Sequence, residues 1–211
     1  MSPSHRPAAN GRRPRVDGFV NPEFRARAWK VYLGHHLVSD DKDVMMVTTL
    51  GSCVAACIHD PVARIGGMNH FLLPEGPASG GADLADAAAR YGGVAMERLI
   101  NALLSQGARR DRMIVKVFGG ARVIESRYDI GEANARFVLN YISKESLTLA
   151  GVDLGGTAAR RVHYFPAAGR AIRRLLRPEA MQGAGRRERL YREGLAARGV
   201  GEGEIELFEE E

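Results

Sequence analysis

Cys53 follows Gly51-Ser52 at the start of one apolar run, Val54–His59, and His70 lies in a second, Ile65–Leu73. Asp60-Pro61-Val62-Ala63 between them reads as a turn, because Asp-Pro initiates turns. The two runs therefore predict a β-hairpin. Centred between Pro61 and Val62, that hairpin sets Cys53 directly opposite His70. Directly opposed residues share a face, with Cβ atoms roughly 4.5–5.5 Å apart. The same register gathers Val54, Ile58, Ile65, Phe71 and Leu73 on one buried face, with Asn69 as the exception. A slip of one residue would send the thiol and the imidazole to opposite faces.

A free thiol titrates near 8.5, and only the thiolate is a strong nucleophile. A neighbouring imidazole takes the proton and holds the pair as ions. The imidazole in turn needs an orienting group. Thr48 and Thr49 lie just upstream, with hydroxyls able to serve. Gly51 and Ser52 leave the backbone before Cys53 open, so peptide N–H groups there could receive an oxyanion. Together these residues suit acyl transfer from an amide or ester carbonyl.

Plainer readings stand beside this one. Cysteines at strand starts are commonly small buried hydrophobes, and strand histidines are commonly structural. Cys57 reads as packing, opposite Gly66, and His59 as a solvent-facing residue near the turn. A zinc site from Cys53, Cys57, His59 and His70 matches no familiar ligand spacing. His35 and His36 point to opposite faces of a strand, and His163 has no partner visible in sequence. Gly119-Gly120 and Gly131 fit no phosphate-loop pattern, and tight turns account for them. No metal, nucleotide or other cofactor is expected.

The elements that must hold these residues alternate along the chain. Strands are expected at Trp29–Leu37, Val44–Thr49, Met113–Phe118 and from Ser146. Arg161–Phe165 and Ala171–Leu176 read as a last hairpin around Pro166–Gly169. Helices are expected at Tyr91–Gln106, where Met96, Leu99, Ile100, Leu103 and Leu104 form an apolar stripe, and at Ala133–Lys144. The expected fold is a single-domain α/β layered sandwich of mostly antiparallel sheet with two main helices. Residues 1–28 read as a flexible basic leader, 29–178 as the folded domain, and 179–211 as a charged tail with a short helix near Arg186–Arg198. Gly76–Gly81 reads as a loop at the edge of the site.

Composition narrows the classes. The chain has 211 residues, 45% apolar and 26% charged, enough for one buried core. Two cysteines exclude a disulfide-stapled scaffold and suit a reducing cytoplasm. No apolar run reaches a membrane span, and no apolar stretch follows the basic N-terminus as a secretory signal requires. The net charge is +5, but it is blocky. Residues 1–16 carry Arg6, Arg12, Arg13 and Arg15 without an acid, and 201–211 carry six Glu without a base. Such blocks read as solvated tails. With no nucleic-acid-binding motif beside them, nucleic acid is not expected as a partner.

LGSCVAACIHDP followed by GGMNHFLLP resembles the signature of the CheD family, chemoreceptor glutamine deamidases of bacterial chemotaxis. RYGGVAMERLINALLSQGA, KVFGGARV, DIGEANARFVLNYI and DLGGTAARRVHYFPAAGR continue the resemblance in unbroken order over about residues 30–177. The resemblance implies hydrolysis of selected glutamine side chains on methyl-accepting chemoreceptors to glutamate and ammonia. It implies Cys53 as nucleophile, His70 as base and Thr48 as the third member, with Thr49 as the alternative. It also implies some receptor methylesterase activity and, in certain bacteria, a CheC-like phosphatase as partner. Two other classes fit the residues. One is a thiol hydrolase acting on other proteins, such as a peptidase or a transglutaminase-like enzyme. The other is a non-catalytic module that binds receptors or a CheC-like protein.

Overall fold

The computed structural model describes residues 18–73, 82–123 and 129–177. Two five-stranded sheets and two helices form three layers. The first sheet runs β1 (Gly18–Asn21), β2 (Ala26–Lys30), β4 (Val44–Leu50), β9 (Arg160–Phe165), β10 (Arg170–Leu175) in spatial order. The second runs β3 (His36–Ser39), β6 (Ile65–Asn69), β5 (Val54–Asp60), β7 (Ile114–Gly119), β8 (Thr148–Leu154). Only β2 with β4 and β7 with β8 pair in parallel, so the sheets are mostly antiparallel. The helices are α1 (Ala82–Leu104) and α2 (Ile130–Lys144).

Strand alternation explains the layering. Along β5, Ala55 and Cys57 look towards the first sheet, where Met46, Leu50, Val162 and Tyr164 meet them. Val54, Ala56 and Ile58 look the other way, onto Met96, Leu99, Ile100 and Leu103 of α1 and Val138 and Ile142 of α2. Those four belong to the predicted stripe and are fully buried, whereas its fifth member, Leu104, is exposed. A third cluster, including Ala28, Met45 and Val47, covers the outer face of the first sheet.

Several expectations need correction. Residues 18–28, read as leader, contain β1 and part of β2, which pair with each other. The expected strand Trp29–Leu37 is two strands. The chain leaves the first sheet after Lys30, turns at Gly34 with φ +81°, and enters the second sheet at His36. α1 begins at Ala82 rather than Tyr91. α2 begins at Ile130, three residues ahead of the expected start, because the Asp129 side chain accepts from Glu132 N at 3.0 Å as an N-cap. The Gly76–Gly81 loop, residues 1–17 and the tail from 178 lie outside the described residues.

The hairpin register also differs. Asp60 pairs with Ile65, Cys57 with Met68, and Val54 bridges Phe71. Its centre lies between Val62 and Ala63, one position beyond the expected one. Asp60 causes this. Its carboxylate accepts from Val62 N at 2.9 Å and Ala63 N at 3.0 Å, and Arg64 closes the turn at φ +53°. Counted on this register, Cys53 stands opposite Leu72 and His70 opposite Ala55. The two are diagonal neighbours, not a directly opposed pair. The shift is two residues, so every side chain keeps its predicted face. Val54, Ile58, Ile65, Phe71 and Leu73 do share one core cluster.

Candidate active site

The gap left where the chain passes from β2 to β3 opens into a cavity of about 450 Å³. Thr48, Thr49, Cys53 and His70 all line it. Thr48 comes from β4, on the face that carries Met46 and Leu50 into the space between the sheets. His70 follows β6 and is held by backbone bonds to the crossing segment. Its N–H donates to His35 O at 3.0 Å, and its carbonyl accepts from Gly34 N at 2.7 Å.

Thr48 and His70 are in direct contact. Thr48 Oγ1 donates to Val31 O at 2.9 Å and stands 2.8 Å from His70 Nδ1. A hydroxyl has one proton, and here Val31 takes it. The bond to the ring must therefore run from Nδ1–H to Thr48 Oγ1. Val31 O also lies 3.4 Å from Nδ1. This sets the tautomer and leaves the lone pair, and hence the basicity, on Nε2. Thr48 is 3% exposed and His70 7%, so water competes weakly for the bond. Thr49 faces the other way, and Arg161 Nε reaches its Oγ1 at 3.5 Å.

The segment before β5 is pinned from the opposite side. Gly51 O accepts from Ala121 N at 2.8 Å, and Ser52 O accepts from Asn134 Nδ2 at 3.2 Å. The described chain has no cis peptide, and in a trans peptide N–H and C=O point opposite ways. The N–H groups of Ser52 and Cys53 therefore point away from Ala121 and Asn134. Cys53 O accepts from Gly120 N at 2.8 Å, and Gly119, at φ +113°, would place a Cβ 2.0 Å from that oxygen. The glycine pair thus seats the Cys53 backbone, a tight-turn role rather than a phosphate loop.

The remaining candidates fall elsewhere. Cys57 is buried between the sheets opposite Met68, not Gly66, and burial pushes its thiol pKa far up. His59 is half-buried rather than solvent-facing, with Nδ1 bonded to Pro166 O at 2.9 Å. Asn69, the apolar pattern's exception, is buried with a purpose: Oδ1 accepts from Ala56 N at 2.8 Å and Nδ2 donates to Ala95 O at 3.1 Å. Sequence reasoning missed Val31, Asn134, Lys30, Arg161 and His163 as parts of the site. The Arg-Arg-Val-His stretch carried a charge signal, but nothing local tied it to Cys53. Among the described residues, no His, Cys, Asp or Glu group is placed to hold a metal, and no helix is long and apolar enough to cross a membrane.

Fold and site define a layered α/β protein with a thiol, an imidazole and a threonine hydroxyl on one cavity wall. The CheD family model, described as CheD chemotactic sensory transduction, matches residues 72–174. The chain is 48% identical over 208 residues to a Rhodopseudomonas palustris (strain BisA53) protein named "Probable chemoreceptor glutamine deamidase CheD", with 97% of each chain covered. Proteins of the same name from Bordetella avium (strain 197N) and Cupriavidus metallidurans are 47% and 43% identical. They cover 76% and 90% of this chain, and 70% and 88% of their own lengths. The chain belongs to the CheD family.

Proposed function

We propose that this chain is a cytoplasmic protein-glutamine deamidase acting on methyl-accepting chemoreceptors, with Cys53 as nucleophile, His70 as base and Thr48 orienting His70. The observation that carries the reading is the Thr48–His70 contact beside Cys53 in a single cavity. It supplies a ring with one nitrogen tied down and the other basic. The names of the relatives support the substrate class.

His70 Nε2 takes the proton from Cys53 Sγ. The thiolate attacks the glutamine carboxamide carbon, and a C–S bond forms as the carbonyl oxygen becomes an oxyanion. The N–H groups of Ser52 and Cys53, with Gly51 leaving room for them, receive that charge. The imidazolium then protonates the departing nitrogen, the C–N bond breaks, and ammonia leaves. Water, deprotonated by His70, cleaves the thioester to glutamate and restores the thiol. A CheC-like phosphatase is the regulatory partner proposed alongside the receptor.

The test is incubation with a chemoreceptor cytoplasmic fragment, followed by peptide mapping. A gain of about one dalton at specific glutamines is expected, with none from the Cys53→Ala protein. Unchanged glutamines with the wild-type protein, or equal conversion by both, would sink the proposal.

A further inference from the structure

The cavity has a second end that the proposed chemistry does not use. Lys30, Arg161 and His163 line it, with Phe19 and Asn21 of β1. On the β4–β9 ladder, Val47 pairs with His163 and Thr49 with Arg161, so this end sits on the face of β4 opposite Thr48. Among the described residues, no carboxylate lines the cavity. Neither Lys30 nor Arg161 has an ion pair among the described residues; Lys30 lies over the Tyr32 ring, 4.8 Å from its centroid, and Arg161 reaches only the Thr49 hydroxyl. Glu23, an acid whose charge reaches His163, is already paired with Arg174. His163 stands across Val47 from Lys30 and two residues along β9 from Arg161; it is 5% exposed, and its Nδ1 is buried without a hydrogen-bond partner among the described residues. A buried imidazole nitrogen left unsatisfied is costly, and a ligand whose entry gives it a partner removes that cost.

We propose that Lys30, Arg161 and His163 form an anion-recognition subsite for a carboxylate side chain of the substrate protein that lies beside the reacting glutamine. The inference rests on the deamidase reading for its substrate. A carboxylate fits all three groups: it accepts from Lys30 and from the Arg161 fork, and it accepts from a ring N–H of His163. An amide in its place would forfeit the charge attraction. The subsite therefore selects glutamines with an acidic neighbour and positions them for Cys53.

The test uses the full chain and paired receptor fragments, one with its native acids and one with the acids flanking the reactive glutamine changed to amides. Wild-type protein is expected to show a KM about threefold to tenfold lower for the acidic fragment, with kcat little changed. Arg161→Gln and Lys30→Met should each erase most of that preference, and His163→Asn should weaken it. A preference that survives all three substitutions overturns the inference while leaving the deamidase reading intact. An independent readout needs no deamidation. Cys53 alkylation by anionic iodoacetate relative to neutral iodoacetamide should fall severalfold in Arg161→Gln and Lys30→Met. If wild-type protein converts no glutamine, the deamidase reading fails, and the alkylation ratio alone decides the subsite. An unchanged ratio overturns it.

Discussion

The Thr48 hydroxyl joins the two sheets of the sandwich through the ring of His70, 2.8 Å away. Thr48 belongs to the first sheet, and His70 follows a strand of the second. The ring is thereby fixed against both layers rather than hung from one hairpin. The Val31 carbonyl, on the segment that crosses between the sheets, sets the direction of the bond by taking the Thr48 proton.

Thr48→Val keeps the shape but removes the acceptor for His70 Nδ1–H. Val31 O, 3.4 Å from the same nitrogen, retains part of the orientation. Deamidation should fall about tenfold, the weight of one buried hydrogen bond. Thr48→Ser should restore most of it, and Thr49→Val should leave kcat near wild type. His70→Ala should cost more, on the order of 10³-fold. If Thr49→Val is the more damaging of the two valine variants, the roles are reversed.

The two cysteines should behave as different chemical species. Both thiols are buried, but Cys53 lines the cavity, whereas Cys57 lies between the sheets opposite Met68 and burial holds it as the neutral thiol. Cys53→Ala should cut ammonia release on the order of 10⁴-fold or more without unfolding the protein. Cys57→Ala should retain turnover and lose about 1 kcal/mol of stability. Iodoacetamide should label Cys53 in the native protein and Cys57 only after denaturation. Native labelling at Cys57 with Cys53 protected would refute this division.

The strand faces around Cys53 and His70 were legible because a period of two survives any even register shift. The register itself was not, because it depends on how many residues Asp60 gathers into its turn. Thr48 and Thr49 could be named as candidates, but the Val31 carbonyl that directs the Thr48 hydroxyl could not. A backbone atom carries no residue-type signal, and its place depends on Gly34 turning the chain between sheets. His163 looked isolated for the same reason. Its neighbours arrive from β1, β4 and the β2–β3 crossing, all distant in sequence. β1 itself was hidden among charged residues, since its first three residues are exposed and give no alternation.

Two glycine substitutions should have opposite effects. Gly119→Ala adds a Cβ 2.0 Å from Cys53 O at a φ of +113°, where L-residues are strained. The variant should lose at least about 2 kcal/mol of stability and most of its activity, because the displaced atom belongs to the backbone of Cys53. Gly93→Ala, in the interior of α1 with open space around the new methyl, should gain about 0.5–1 kcal/mol and keep its kinetics. Thermal melts and initial rates on both variants decide it, and a tolerated Gly119→Ala would show that the turn does not seat Cys53.

The hairpin that carries both Cys53 and His70 is anchored at its far end by Asp60. This carboxylate is fully buried, and burial alone would raise its pKa. Arg112 opposes that with bonds of 3.0 Å from Nε and 2.7 Å from Nη2, joined by the N–H groups of Ala63, Arg109 and Val62. Together they outweigh burial and hold the group well below the usual carboxylate range. An unfolded Asp titrates near 3.9. Because the folded pKa lies lower, the stabilisation is fully present above about pH 5 and drains away as pH falls towards the folded pKa. Asp60→Asn should cost about 3 kcal/mol at pH 7, since it leaves Arg112 unpaired and keeps one acceptor oxygen where two are used. Urea unfolding of both proteins from pH 7 to pH 3 should show that gap narrowing below about pH 4. A gap that stays constant to pH 3, or is absent at pH 7, would mean the anchor does not act through its charge.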